Sequence, residues 1–404
     1  MKKLVYMFLL MVVLTSCASE DLLQSPEVVT ENGTKIQPEE AVQSALAYMH
    51  QIFPETRGAD RSDYVITPVR RVSTRAPQNG EAYPDTLYYV INFGEDEGFA
   101  LMGADRRLPD LLAISDMDNM NLEDTVFNRG LADFMSDISL PYLPVNPPRD
   151  SLMTTIVMVG EPMLTVDVRK WSQGAPYNNE CPIFLEGKAP TGCVPLAVGQ
   201  IFTFYEWPMS YGLVKFDWKK MKNGKDNDTV AELLRILGTK KNLAAEYTAT
   251  ATGVENENLP RTFNNFDYDF TSGAKPLNKE FPYGILNKKF NQNAHPILVY
   301  GEGSQIIIGG KPDDIAPNSK HVWVADGCMT KITKENDGSE SEEFYIHCVW
   351  GWGGANNGYF LYTYNGVIGG KPDELAPGDQ KYDFEGYVYN KTLSGWIDFK
   401  KKEE

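Results

Sequence analysis

Thr191-Gly192-Cys193-Val194-Pro195-Leu196-Ala197-Val198-Gly199-Gln200-Ile201 is the stretch on which the reading of this chain turns. Gly192 permits a tight turn, and an apolar run follows that Trp207-Pro208 brings to a stop, so the pattern predicts one helix from Cys193 to Tyr205. Pro195 falls in its first turn, where the missing N–H would have had no partner anyway. Cys193 opens the helix at the positive end of the macrodipole, which favours the thiolate. The thiolate is the nucleophilic form of cysteine, so the placement suits covalent catalysis. A small buried cysteine starting a core helix would look the same, and this stretch alone leaves both readings open.

A thiolate nucleophile needs a base, and there are four histidines to choose from. His50 lies on an N-terminal helix pattern, and His295 precedes Pro296 in an expected loop. His347 sits inside the apolar strand Phe344-Tyr345-Ile346-His347-Cys348-Val349-Trp350 and reads as a core histidine. His321 opens His321-Val322-Trp323-Val324-Ala325-Asp326-Gly327, an alternating strand expected to end in an Asp-Gly turn. It follows Cys193 by 128 positions, close to the roughly 130–150 of papain-type enzymes. His321 is therefore the preferred base. Two further stretches carry chemistry only in company. In Trp350-Gly351-Trp352-Gly353-Gly354, indoles among glycines could wall an ion pair off from water. In Trp171-Ser172-Gln173-Gly174, the Gln173 amide could join the Cys193 N–H in holding an oxyanion. Alone, the first is a Gly-rich hairpin turn and the second a surface glutamine.

Around this centre, 404 residues exceed what one core usually organises, so two domains are expected. The net charge of −17 argues against nucleic acid as a partner, because phosphates would be repelled. A helix pattern covers Pro38 to Phe53, with Ala41, Ala45, Leu46 and Met49 on one face. Residues 54–86 read as a mixture of strand and loop. Leu87–Phe93 and Phe99–Ala104 form a hairpin about Gly94–Gly98, and Val126–Ile138 is a second helix. Pro141, Pro144, Pro147 and Pro148 then mark a domain boundary. Beyond it come the Cys193 helix and many strands, an α+β arrangement. Gly309–Pro317 and Gly369–Pro377 echo one another as Pro-terminated loops.

The first segment is expected to be removed. Lys2 and Lys3 precede an apolar run from Leu4 to Leu14, the pattern of an export signal too short to span a bilayer comfortably. Leu14-Thr15-Ser16-Cys17 resembles a lipoprotein box, which would make Cys17 the lipidated residue, with Glu20 and Asp21 behind it resembling surface-export signals. The spacing of the remaining cysteines fits no zinc pattern, and no metal or organic cofactor is expected.

In order, Trp-Ser-Gln-Gly-Ala-Pro-Tyr-Asn from 171, Thr-Gly-Cys-Val from 191, His-Val-Trp-Val-Ala-Asp-Gly from 321 and Trp-Gly-Trp-Gly-Gly from 350 are similar to the streptopain family of papain-like cysteine peptidases. Tyr89–Phe93 with Gly98–Leu101 resembles that family's propeptide hairpin. The resemblance implies a papain-like fold, a central helix carrying the cysteine packed on an antiparallel sheet. A small α+β inhibitory propeptide would precede it. It implies Cys193 as nucleophile, His321 as general base then acid, Gln173 as oxyanion donor, and Trp350 and Trp352 as residues that shape the site. The expected domains are 1–22 (signal and anchor), 23–150 (propeptide) and 151–404 (peptidase). The expected protein is an exported, lipid-anchored zymogen of the bacterial outer membrane or cell surface that cleaves proteins or peptides. Activation is expected from a cut between Leu143 and Met158, a stretch whose prolines should leave it irregular and exposed. The alternative of another class is a catalytically weak or inactive surface binding or inhibitor protein on the same fold. Two departures bear on that choice: Val349 stands where the family commonly has Asn, and Lys320 where it often has Gly.

Overall fold

The computed structural model describes residues 34–56, 61–70, 85–122, 131, 134, 154–270, 275–276, 286–287, 291–303, 319–334, 340–364, 367–368, 371–372, 394–396 and 399–401. The export segment with Cys17, the proline-rich boundary at 141–150 and nearly all of the two nine-residue echoes lie outside these residues. So does most of the helix expected over Val126–Ile138, of which Leu131 and Phe134 are helical and buried.

Helix α1, Pro38–Ile52, starts with proline in its first turn, where no hydrogen bond is lost, and carries Glu39 and Glu40 at its positive end. Its buried face holds Ala41, Val42, Ala45, Tyr48, Met49 and Ile52. That face covers an antiparallel meander of β1 (Tyr64–Arg70), β2 (Thr86–Phe93), β3 (Phe99–Gly103) and β4 (Leu111–Ser115). The expected β2–β3 hairpin is present, with Ile91 opposite Ala100. Strand β4 carries no alternation to betray it: Leu111-Leu112-Ala113-Ile114 is apolar throughout because both of its faces are buried.

Beyond residue 153 come β5 (Thr154–Gly160), α2 (Cys193–Tyr205), α3 (Asn227–Leu237), α4 (Leu259–Asn265), β6 (Ile297–Gly303), β7 (Ser319–Lys334), β8 (Glu340–Val349) and β9 (Gly358–Tyr364). The sheet runs β1-β2-β3-β4-β9-β8-β7-β6, then Ser394–Trp396 and Lys275–Pro276, with β5 on β7, and every pairing is antiparallel. The N-terminal meander joins it through β4 on β9, where Ile114 faces Tyr359 and Ala113 faces Phe360. The described residues from Thr34 onward thus pack as one compact unit.

Two expectations are corrected here. The segment expected to stay irregular as far as Met158 is already strand from Thr154, because its β-branched run pairs with the far end of β7, Thr154 opposite Lys334. Asp326-Gly327 is not a turn. Strand β7 continues through it with a bulge, since the register against β8 slips between Ala325 and Gly327. Glycine is needed there because a Cβ would lie 2.9 Å from the carbonyl oxygen of Gly160, the last residue of β5.

Helix α2 is mostly apolar and is buried on all sides from Val194 through Thr203, with Gln200 and Thr203 bonded to backbone carbonyls. It lies between the amphipathic α3, through Leu233 and Leu234, and the sheet face bearing Leu298, Val322, Val324 and Val349. Each fully buried aliphatic side chain contributes about 1.5–3 kcal/mol against exposure, so this sandwich holds the start of α2 to a fixed place on β7.

Candidate active site

The chain enters α2 through Gly192, whose φ of +90° is left-handed space that other residues avoid. A Cβ there would also lie 2.9 Å from the Thr252 methyl, while the Thr252 hydroxyl donates to the Pro190 carbonyl at 2.6 Å. The turn is therefore held from outside as well as by its own conformation. Cys193 follows as the first helical residue and is only partly buried.

The other described cysteines differ. Cys181, Cys328 and Cys348 are free and buried. Burial pushes the Cys181 thiol up to about 11 and the Cys328 thiol up to about 12, and raises Cys348 well above its ordinary value. All three stay protonated near neutrality. Among the described residues no three His, Cys, Asp or Glu side chains converge as metal ligands.

Gln173 is tied in on two sides. Its carbonyl accepts from the Thr191 N–H at 2.9 Å, two residues before Cys193. Next to it, Ser172 forms an isolated antiparallel bridge with Trp352, and the Gly353 N–H donates to the Trp171 carbonyl at 3.1 Å. One loop thus links the cysteine turn to the tryptophan turn.

His321 lies on β7, opposite Gly301 of β6, and is buried. Its Nε2 donates to the Trp350 carbonyl at 3.1 Å, and its ring stacks on Trp323 with centroids 5.8 Å apart. A proton on Nε2 in that bond leaves Nδ1 as the imidazole's second nitrogen. The tryptophan turn also meets α2: a Cβ on Gly351 (φ +84°) would fall 2.8 Å from Leu196 Cδ2 in that helix's first turn. Through these contacts the segments that carry Gln173, His321, Trp350 and Trp352, dispersed along the sequence, are linked to the turn and first turn of helix that hold Cys193.

His347 is elsewhere. It is buried on β8, its Nδ1 donates to Asp326 Oδ1 at 2.6 Å, and its ring meets Tyr359 edge-on. The other Asp326 oxygen accepts the Leu164 N–H at 3.0 Å, and the Asp326 carbonyl accepts the Met163 N–H at 2.8 Å. This pair pins the chain leaving β5 to the bulge in β7. The sequence points to a turn at Asp326 because nothing local distinguishes an Asp-Gly turn from an Asp-Gly bulge.

The departure at 349 has a structural counterpart. Val349 is fully buried in the α2 core, and the acceptor for His321 comes from the backbone of the next residue. Lys320 is exposed.

Comparison with known proteins adds to this geometry. Residues 171–360 match the model of the Peptidase C10 family, and residues 29–140 match that of the Spi protease inhibitor. The thiol protease/hemagglutinin PrtT of Porphyromonas gingivalis is 26% identical over 357 residues, covering 81% of this chain and 38% of that protein. The chain therefore spans well under half the length of that relative. Streptopain of Streptococcus pyogenes is 23% identical over 334 residues, covering 76% of this chain and 80% of streptopain. Among solved structures, a fragment of Prevotella intermedia prointerpain A aligns over 80% of this chain and 98% of its own, with a TM-score of 0.49 at 18% identity.

Proposed function

Because the chain belongs to the Peptidase C10 family, the streptopain family of papain-like cysteine peptidases with an N-terminal inhibitor-type region, we propose that it is a cysteine endopeptidase made as a zymogen, with Cys193 as nucleophile and His321 as its base. The observation that carries the reading is the bond from His321 Nε2 to the Trp350 carbonyl, on a strand packed against the helix that Cys193 opens. With Nε2 held as a donor, Nδ1 is the nitrogen that takes the Cys193 proton. The thiolate attacks the scissile carbonyl, and His321 returns the proton to the leaving amine. Water then hydrolyses the acyl-enzyme. Gln173, tied to the turn before Cys193, supplies an amide N–H₂ toward the developing oxyanion beside the Cys193 N–H. Trp350 and Trp352 close the site against water.

The division into a propeptide over 23–150 and a peptidase over 151–404 belongs to the same proposal. Since β5 is paired from Thr154 onward, the activating cut falls before it, within 143–153, where the proline-rich sequence leaves the catalytic strands whole. Export with a lipid on Cys17 completes the reading and rests on the sequence of the first segment.

The test uses full-length protein and its Cys193→Ala variant, each treated with trace trypsin. Peptide hydrolysis should appear only in the wild type, only after a new N-terminus forms within 143–153. Hydrolysis by cut Cys193→Ala would remove the nucleophile. A cut and folded wild type that takes up no active-site thiol reagent would favour the binding-protein alternative.

A further inference from the structure

Trp350 holds the acceptor on which the His321 assignment rests, and what holds Trp350 lies in Asn356 and Asn357. The Asn357 side chain is buried, and both ends of its amide are occupied. Its Oδ1 accepts the backbone N–H of Trp350 at 3.0 Å, and its Nδ2 donates to the Arg169 carbonyl at 3.0 Å. Its own N–H closes the turn by donating to the Gly354 carbonyl at 3.1 Å. The carbonyl of Asn356, a residue at φ +59°, accepts the Trp350 indole N–H at 3.0 Å. Trp350 is thereby fixed at its backbone and at its ring, which sets the direction of its carbonyl.

Arg169 is not a neutral anchor. It ends the short helix Val166–Arg169, two residues before the Trp171–Gln173 segment that bridges to Trp352. One buried amide therefore ties the turn that supports His321 to the segment that carries Gln173. No other described side chain bonds both.

We infer that Asn357 is a positioning residue for the proposed reaction: through Trp350 it orients His321, and through Arg169 it sets Gln173 against the Cys193 turn. The inference rests on the cysteine-peptidase reading above. The two halves of the amide have separable consequences. The Trp350 carbonyl bonds more strongly to imidazolium than to neutral imidazole, because the donor is then charged. Loosening that carbonyl disfavours the imidazolium, so the alkaline limb of kcat/KM moves to lower pH. Of the residues beside His321, Lys320 is the exposed cation next to it in the chain, β6 places the uncharged Gly301 opposite, and Cys193 is the thiol that the proposed reaction pairs with it. Loosening the Arg169 side instead misplaces the oxyanion donor, which acts on kcat more than on KM.

Asn357→Asp keeps an oxygen for the Trp350 N–H and loses the donor to Arg169, whereas Asn357→Ala loses both. Both variants are made in the full chain, cut within 143–153, and compared with wild type and His321→Ala. The folded fraction is read by near-ultraviolet circular dichroism, and the pH profile by kcat/KM and by iodoacetamide uptake at Cys193. Per folded molecule, Asn357→Asp should lose about tenfold or more in kcat with KM little changed and its alkaline limb near that of wild type. Asn357→Ala should lose as much or more, and its alkaline limb should move down by about half a pH unit or more. Losses that only track the folded fraction, with both limbs unmoved, would overturn the inference while the peptidase reading stands. A cut wild type as inactive as His321→Ala would overturn that reading, and the inference with it.

Discussion

Strand β7 passes two buried polar centres of different chemistry, one a histidine on a neutral carbonyl and one a lysine among carboxylates. Near its start, His321 is bonded at Nε2 to a neutral backbone carbonyl, and α2 delivers a partly buried cysteine to the same end of the sheet. Further along, Lys331 is wholly buried beneath α1 and β4, ion-paired to both Asp110 and Glu343. Tyr48 donates to Asp110, and burial together with Asp110 raises its phenol, so it stays a neutral donor. The Tyr345 hydroxyl donates to the Leu111 carbonyl at 2.8 Å. In the second centre one buried ammonium is shared by two carboxylates. What it does is join residues of the N-terminal meander to the strands of the catalytic region. The first pairs an imidazole with a backbone carbonyl and sets it on a strand packed against the helix that Cys193 opens. The proposed reaction and the docking of the N-terminal meander thus use the same strand, one through a histidine on a backbone carbonyl and the other through a buried lysine between carboxylates.

The sharpest way to break this contrast is at the reactive end. Cys193→Ala and His321→Ala should each reduce peptide hydrolysis by about a thousandfold or more, with melting temperatures close to wild type. A His321→Ala enzyme that keeps most of its activity would place the base elsewhere.

At the docking end the loss should appear as stability. Lys331→Ala, made in a Cys193→Ala background to prevent self-cleavage, leaves Glu343 and Asp110 facing each other without a cation. It should cost about 3–5 kcal/mol in urea unfolding of the full chain. Lys331→Met combined with Asp110→Leu and Glu343→Leu should recover much of that. No recovery would mean that the cluster does more than hold the two regions in register.

His347 tests whether every buried histidine on this sheet serves chemistry. His347→Ala removes the partner of Asp326 and should cost about 1–3 kcal/mol in thermal unfolding, with activity per folded molecule preserved. A selective loss of activity would join the two centres that are separated here.

The smallest expected effect concerns the thiols. Cys328 is pushed up to about 12 by burial, from an ordinary value of 9.0. A raised folded value means that stability is full below the ordinary value and declines as pH rises from about 9 toward 12. Cys328→Ala should therefore flatten the alkaline decline in stability, whatever it does to stability at neutral pH. At pH 8 iodoacetamide should label Cys193 in the activated protein well before Cys181, Cys328 or Cys348. Equal labelling would show that burial does not protect them.

The fold was legible where neighbours in the chain carry the signal. Helix α2 was bounded by Gly192 at one end and Trp207-Pro208 at the other, and the structure ends it at Tyr205. The β2–β3 hairpin followed from its turn residues. Strand β4 escaped because a strand buried on both faces has no alternation, and Asp326-Gly327 was misread because its bulge is imposed by β5 arriving from far away in sequence. Within the site, residue types and order pointed to Cys193, His321, Gln173, Trp350 and Trp352. Asn357 went unnoticed because an asparagine in a glycine-rich turn is unremarkable until its two partners are known.

Residue order alone was enough for the locally encoded elements and the candidate reactive groups: a cysteine at a helix start, a histidine opening a strand, and two tryptophans among glycines. Those depend on local backbone preferences and side-chain chemistry, which travel with the residue. Only the tertiary structure decided that the support for His321 is the Trp350 carbonyl, that Asn357 bonds both Trp350 and Arg169, and that Lys331 pairs with Asp110 across the two regions. Each of those joins groups far apart along the chain, and a carbonyl or a buried amide acquires its role only when packing removes water and leaves it one partner.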